Sequence, residues 1–255
     1  MNDLILLNEA ARAAGDIAKH YFKKSPKVWD KGGTAGPVTE ADLEVDRMLS
    51  SDLRLARPGY GWLSEETEDT TDRLSKEHVF IVDPIDGTRS FIAGTPHWAH
   101  SLAVAKSGFI QAAAVYMPVL DFMFTATVDG GAYLNGLPIM VSARSETPGA
   151  NILSSKVNFQ EEFWPGGFPD LKRSFRSSLA YRLCLVATGE FDGMLTLRPT
   201  WEWDVAAGSL IVSEAGGLAT DQTGAKPVFN SRLRQLNGIV ACNSDIHFGL
   251  LAGLT

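Results

Sequence analysis

The sequence predicts a layered α/β protein, read from three features of its 255 residues. Apolar residues recur at spacings of three and four near the N-terminus, as on one face of a helix. The middle holds strand-like runs broken by turn dipeptides, as in an antiparallel meander. The last hundred residues alternate short apolar runs with helical patterns. The chain is read as one domain over 1–255 with two lobes, 1–145 and 146–255.

In order, Leu4, Leu7, Ala11, Ala14, Ala18 and Tyr21 predict an amphipathic helix over residues 3–23. "KSPKVWDKGGTAGPVTEAD" is rich in Gly, Pro and Lys and reads as a mobile loop. Thr39 with Asp42 three positions later predicts a capped helix start. "GYGWLSEETED" reads as a short strand ending in an acidic cluster, and Val79–Val82 as a buried strand running into Asp83. Ser-Gly, Pro-Val-Leu-Asp, Asp-Gly-Gly and Asn-Gly punctuate the meander from residue 100 to 139. Beyond Ala150, "NILSS", "FDGMLTL" and "GIVACN" predict strands. Leu179–Thr188, "DVAAGSLIVSEAGG" and a Ser244-capped C-terminal segment predict helices.

A net charge of −7 argues against a nucleic-acid binder, which needs a basic face. The first segment is acidic and interrupted by polar residues, unlike a signal peptide. No apolar run approaches the ~20 residues of a membrane span. Cys184 and Cys242 sit in separate apolar contexts and read as buried reduced thiols. Together these features predict a cytoplasmic protein.

The chemistry lies in carboxylates at the ends of apolar elements: Glu65 and Glu66, Asp83 and Asp86, Asp204, and Asp42 at a helix start. Taken singly, each reads as a cap, a turn or a solvated side chain. Grouped at strand ends, they repel one another and resist desolvation until hard cations with oxygen ligands offset both. In "DPIDGTRSF" the Ile85 carbonyl can complete such a set, with Asp83 bridging two Mg²⁺ ions. Gly87 and Thr88 add a backbone anion nest, and the Thr88 hydroxyl can hold a water. Carboxylates, cations and an anion nest point to in-line hydrolysis of a phosphate ester by a metal-activated water.

"LSEE", "DPIDGTRSF" and "WDVAAGSLIVSEAGG", in that order, resemble the three signature segments of the inositol monophosphatase family, and "PVTEAD" fits as well. The resemblance implies a five-layer αβαβα sandwich and an Mg²⁺-dependent, lithium-sensitive phosphomonoesterase with two to three ions per site, in a homodimer. It implies that Glu65, Asp83 and the Ile85 carbonyl hold a first metal, and Asp83, Asp86 and Asp204 a second. Glu65 also helps hold a third. Asp42 and Thr88 would orient and deprotonate water, with Glu66 as a neighbouring acid or base. Phosphate oxygens would meet Asp86, Gly87 and Thr88. Four ionised carboxylates are balanced by two Mg²⁺, so a substrate dianion favours the third ion.

The family's inositol-binding glutamate, seven positions before its last metal aspartate, is replaced here by Leu197. "SEE" and "RPTWEWD" are more similar to 3′(2′),5′-bisphosphate nucleotidases, with Arg182, Arg198 and Lys31 as contacts for a second phosphate. That substrate is the first expectation. The alternatives are inositol 1-phosphate, then histidinol phosphate or a sugar phosphate. More remote is a non-catalytic regulatory binding protein on the same fold. Trp201 and Trp203 read as wall or core residues before they read as an adenine platform. His97 and His100 read as structural. "WDKGGTAGP" is expected to be a flap ordered by metal and substrate.

Overall fold

A computed structural model describes residues 2–32 and 36–254. The N-terminal half contains α1 (Asp3–Tyr21), β1 (Val28–Asp30), β2 (Pro37–Thr39), α2 (Glu40–Ala56), β3 (Gly61–Ser64), β4 (His78–Asp86) and α3 (Thr88–Ile92). The meander follows as β5 (Ala99–Lys106), β6 (Phe109–Met117), β7 (Phe122–Thr127), β8 (Gly131–Leu134) and β9 (Leu137–Pro138). Then come β10 (Ala150–Leu153), β11 (Leu171–Ser174), α4 (Leu179–Ala187), β12 (Gly193–Thr196), β13 (Thr200–Trp201) and α5 (Glu202–Glu214). The chain closes with β14 (Leu218–Thr220), β15 (Gln235–Leu236), β16 (Ile239–Cys242) and α6 (Ser244–Leu254).

Seven strands form one sheet in chain order from β3 to β9, antiparallel except for the parallel β3–β4 pair. A five-stranded sheet runs β11-β10-β12-β16-β14. Strand alternation decides the layering. Phe80, Val82, Leu102, Val104, Ala112 and Ala114 point toward α1 and α2. Their neighbours Val79, Ile81, Ala103, Ala105, Ala113 and Val115 point the other way, toward α4 and α5. The second sheet repeats the pattern: Leu153, Met194 and Ala241 face those helices, while Ile152, Leu195 and Val240 face α6. The result is the expected αβαβα sandwich, held by burial of apolar side chains on both faces of each sheet. The core between the sheets draws on residues from both sides of position 145.

Three local expectations are corrected. The segment read as a loop forms an antiparallel hairpin, β1 with β2, pairing Trp29 with Val38. The tip of the expected flap, residues 33–35, lies outside the described residues. β4 does not end at Val82. It continues through Asp86, with a break in register between Asp83 and Asp86, because an irregular ladder admits one extra residue without ending the strand. The C-terminal helix is capped by Asn243, whose Oδ1 accepts from the Ile246 amide at 2.9 Å, and Ser244 is already inside it. Cys184 and Cys242 are buried free thiols, as read.

Candidate active site

Regular elements hold the site's floor. The Thr39–Asp42 capping box forms as expected. Asp42 Oδ2 accepts from the Thr39 amide at 2.9 Å and also from its hydroxyl. This leaves Asp42 Oδ1 to face Thr88, whose hydroxyl lies 3.2 Å from it and 3.1 Å from the Ile85 carbonyl. Gly87 makes the turn into α3 with φ +98°, and a Cβ there would lie 2.9 Å from the His97 carbonyl. Only glycine combines that backbone with that contact.

Asp86 is anchored by a partner remote in sequence. Its Oδ2 accepts from the Ser178 hydroxyl and the Ala180 amide, both at 2.6 Å. It therefore sits at the positive end of α4, where a carboxylate is stabilised. Ser178 also caps α4 by accepting from the Tyr181 amide. Asp204 projects from the first turn of α5, which packs so closely on α4 that a Cβ at Gly208 would lie 2.5 Å from Leu183. The two helices thus fix Asp86 relative to Asp204.

Asp83, Asp86 and Asp204 each offer an oxygen within 4.8 Å of the others. Asp83 is 1% exposed and its Oδ1 has no hydrogen-bond partner among the described residues. A buried carboxylate oxygen facing two further carboxylates is costly unless a cation joins them. The donors are all hard oxygens, which suits a divalent ion such as Mg²⁺.

Burial, then repulsion from Glu65, Asp86 and Asp204, raises Asp83 well above the usual carboxylate range. Burial, then Asp86 and Glu65, does the same to Asp204. Burial lifts Asp86 to about 6 despite its hydrogen bonds from Ser178 and Ala180. Asp42 is raised to about 6 by burial, partly offset by Thr39. Glu66 is raised to about 7 by burial and by Glu65, partly offset by Lys31.

These shifts share one sign. Between the ordinary aspartate value of 3.8 and about 6, folded Asp42 and Asp86 hold more protons than the unfolded chain does. Stability then falls as pH rises through that window, and continues to fall above it as Asp83 and Asp204 ionise. In chelator, the melting temperature is expected to drop from pH 5 to pH 7.5, and Mg²⁺ at pH 7.5 to restore it. A chelated protein that melts higher at pH 7.5 than at pH 5 would contradict the electrostatics.

The cavity over these groups has a volume of about 470 Å³ and is lined by Lys31, Glu65, Asp83, Ile85, Asp86, Gly87, Thr88 and Asp204. Lys31 Nζ lies 2.7 Å from Glu65 and 2.9 Å from Glu66, so it is paired with both carboxylates and is not free to meet a second phosphate. Glu65 therefore lines the cavity paired with Lys31, while its charge still acts on Asp83 and Asp204.

Two expected substrate contacts, Arg182 and Arg198, are not on the cavity wall, nor is Leu197, which stands where the family has its glutamate. Arg182 is buried with its Nε donating to the Arg176 carbonyl, and its guanidinium lies 4.5 Å from the centre of the Phe175 ring. Arg182 follows Ser178 by one helical turn on the same face of α4, so its charge acts on Asp86 and Asp204 from inside the fold and not from the cavity wall. Arg198 is exposed to solvent outside the cavity lining. Leu197 packs in the core beneath α6, because β12 and the residue after it alternate faces. His100 is buried, its Nδ1 against the Pro84 carbonyl, and burial lowers it to about 4. His97 stacks on Tyr181 at 6.1 Å. Neither histidine lines the cavity.

Other wall residues escaped the sequence reading: Arg89, Phe175, Ser177 and Arg234. Trp201 and Trp203 also line the cavity and stack on each other, centroids 4.8 Å apart and planes within 7°. "Arg-Ser-Phe" beside the aspartate motif offered a signal for Arg89, whereas nothing in "NSRLRQLNG" marks Arg234.

Comparison with known proteins gives the chain's family. The model of the inositol monophosphatase family matches residues 3–254. An inositol-1-monophosphatase of Rhizobium meliloti is 37% identical over 235 residues, covering 88% of this chain and 87% of the relative. Nus factor SuhB of Haemophilus influenzae is 32% identical, covering 91% and 88%. The solved structure of an IMPase from Thermotoga maritima superposes with a TM-score of 0.85 at 28% identity, covering 100% of this chain and 97% of that one. These names favour the inositol-phosphate alternative over the bisphosphate nucleotidase expected first.

Proposed function

The chain belongs to the inositol monophosphatase family and is a phosphoric monoester hydrolase, and on that premise we propose that it releases phosphate from inositol phosphates using Mg²⁺. The convergence of Asp83, Asp86 and Asp204 on one cavity, with an unpartnered buried oxygen on Asp83, carries the reading. Asp83, Asp86 and Asp204 would hold one ion. Glu65, Asp83 and the Ile85 carbonyl would hold another once Glu65 leaves Lys31. Bound there, Mg²⁺ supplies charge neutralisation, polarisation of phosphoryl oxygens and acidification of water.

The chain's own residues supply position and proton transfer. The Thr39 cap fixes one oxygen of Asp42 and aims the other at Thr88. With its pKa near 6, Asp42 suits a general base at neutral pH, because it is ionised yet still basic. The Thr88 hydroxyl, placed between Asp42 and the Ile85 carbonyl, orients the attacking water and passes its proton toward Asp42. Gly87 and Thr88 place backbone amides beside the phosphoryl group at the start of α3. Glu66, held by Lys31, stands behind Glu65 as a reserve carboxyl.

Phosphate release should appear with inositol 1-phosphate and vanish in chelator. The assay should also include adenosine 3′,5′-bisphosphate, histidinol phosphate and fructose 1,6-bisphosphate. Pure protein at saturating Mg²⁺ that leaves all four intact would sink the phosphatase reading. Faster turnover of any of the other three would remove inositol from first place.

A further inference from the structure

We propose that the cavity rim contains a second anion subsite, centred on Arg234, for a phosphate or carboxylate on the substrate away from the bond that breaks. This rests on the cavity being the phosphatase site. The β13–β15 ladder pairs Trp201 with Gln235 and so brings Arg234 to the cavity. Its guanidinium carbon lies 5.6 Å from the Trp201 ring centre, and Trp201 is itself stacked on Trp203. The flat cation therefore rests against a rigid aromatic wall.

Arg234 is under-satisfied where it stands. Its Nε is buried without a hydrogen-bond partner among the described residues. The nearest carboxylate oxygen, Asp69 Oδ2, is 3.7 Å away, beyond hydrogen-bond length. Asp69 is already committed to Arg73 through contacts of 2.7 and 3.0 Å. The Arg234 backbone is left-handed, with φ +58°. Its amide lies 3.0 Å from the Ser231 hydroxyl, and its carbonyl accepts from the Glu202 amide at 2.9 Å. These two hydrogen bonds hold the residue in a region that few non-glycine residues occupy.

The remaining charges on the cavity wall set the ligand's sign and place. The floor is acidic, so an extra anion on the substrate is repelled from it. Lys31 is neutralised by Glu65 and Glu66. Arg89 lines the same cavity, exposed and without an ion pair among the described residues. Two guanidinium groups at the mouth, Arg234 with only the 3.7 Å contact to Asp69 and Arg89 exposed, match a planar anion, which Arg binds in two-point fashion. An ammonium-bearing ester would meet like charge there.

The test compares esters in pairs that differ by one anionic group. Inositol 1,4-bisphosphate is set against inositol 1-phosphate, adenosine 3′,5′-bisphosphate against adenosine 3′-phosphate, and 2-phosphoglycerate against glycerol 2-phosphate. The first two pairs probe a phosphate and the third a carboxylate. The doubly anionic member is expected to have the higher kcat/KM in at least one pair, mainly through KM. Arg234→Gln should cut that preference by roughly 10- to 100-fold, the span of one charge-assisted hydrogen bond. Arg234→Lys, which keeps the charge, should retain part of it.

Equal kcat/KM within every pair, or a preference that survives Arg234→Gln, would overturn the subsite. If no ester is turned over, the phosphatase reading fails by itself. Titration calorimetry of the same pairs in Mg²⁺ then decides the subsite. Tighter, Arg234-dependent binding of the doubly anionic member supports it, and equal binding overturns it.

Discussion

Asp83→Asn is expected to lower kcat by ~10³-fold or more, the rate equivalent of several kcal/mol of lost transition-state stabilisation, and yet to raise the melting temperature of the chelated protein. Asp83 is 1% exposed, carries an unpartnered oxygen, and is opposed by Glu65, Asp86 and Asp204. The amide removes one of the crowded charges and brings a donor for the neighbouring carboxylates. Relieving an uncompensated buried group is worth about 1–3 kcal/mol, or roughly 2–10 °C in a protein of this size. The gain should grow with pH, since the wild-type penalty does. Mg²⁺ should stabilise the wild type by ligand linkage and the variant much less. Phosphate release and thermal melts with and without Mg²⁺ check both halves. Turnover within tenfold of wild type would remove Asp83 from the metal centre. A lower chelated melting temperature would refute the charge-crowding account.

Asp42→Asn is expected to cost ~10²- to 10⁴-fold in kcat, the usual span of a general base, with little loss of fold. The asparagine oxygen can still accept from the Thr39 amide, so capping weakens by no more than ~1 kcal/mol. What disappears is the proton acceptor facing Thr88. The wild-type kcat/KM profile should bend on its acid side near pH 6, the value to which burial raises Asp42. That bend should be missing in the variant. Asp86 titrates in the same range, so the comparison between proteins matters more than either profile alone. A variant within fivefold of wild type would leave Asp42 as a helix cap and nothing more.

The floor of the site was legible because its residues are locally encoded. Asp83, Ile85, Asp86, Gly87 and Thr88 fall within six consecutive positions, and Asp42 is announced by the capping pattern at Thr39. The layers were legible for a similar reason, since alternation within one strand, such as Val79 to Val82, already assigns side chains to two faces. The rim was not legible. Resemblance and the phosphate affinity of arginine single out Arg182 and Arg198, but neither says where the fold puts them. Arg182 is buried in α4 and Arg198 lies in solvent before β13. Arg234 reaches the cavity only through the ladder between β13 and β15, a pairing of two-residue strands with no periodic signature. The hairpin β1–β2 is not legible because strands of three residues, all exposed in β1, offer no alternation to read.

The division between the β4–α4–α5 floor and its loop-borne rim has a consequence for descent. Residues such as Asp86 and Asp204 are locked into interior layers, where a change of volume or charge endangers the whole fold. Phe175, at 51% exposure, and the partly exposed Arg234 can be exchanged with far less effect on the interior. Gene copies of such a protein can therefore drift toward different phosphorylated metabolites by a few loop mutations, each inheriting the hydrolytic centre intact. Relatives with similar catalytic segments then diverge in diet before they diverge in chemistry.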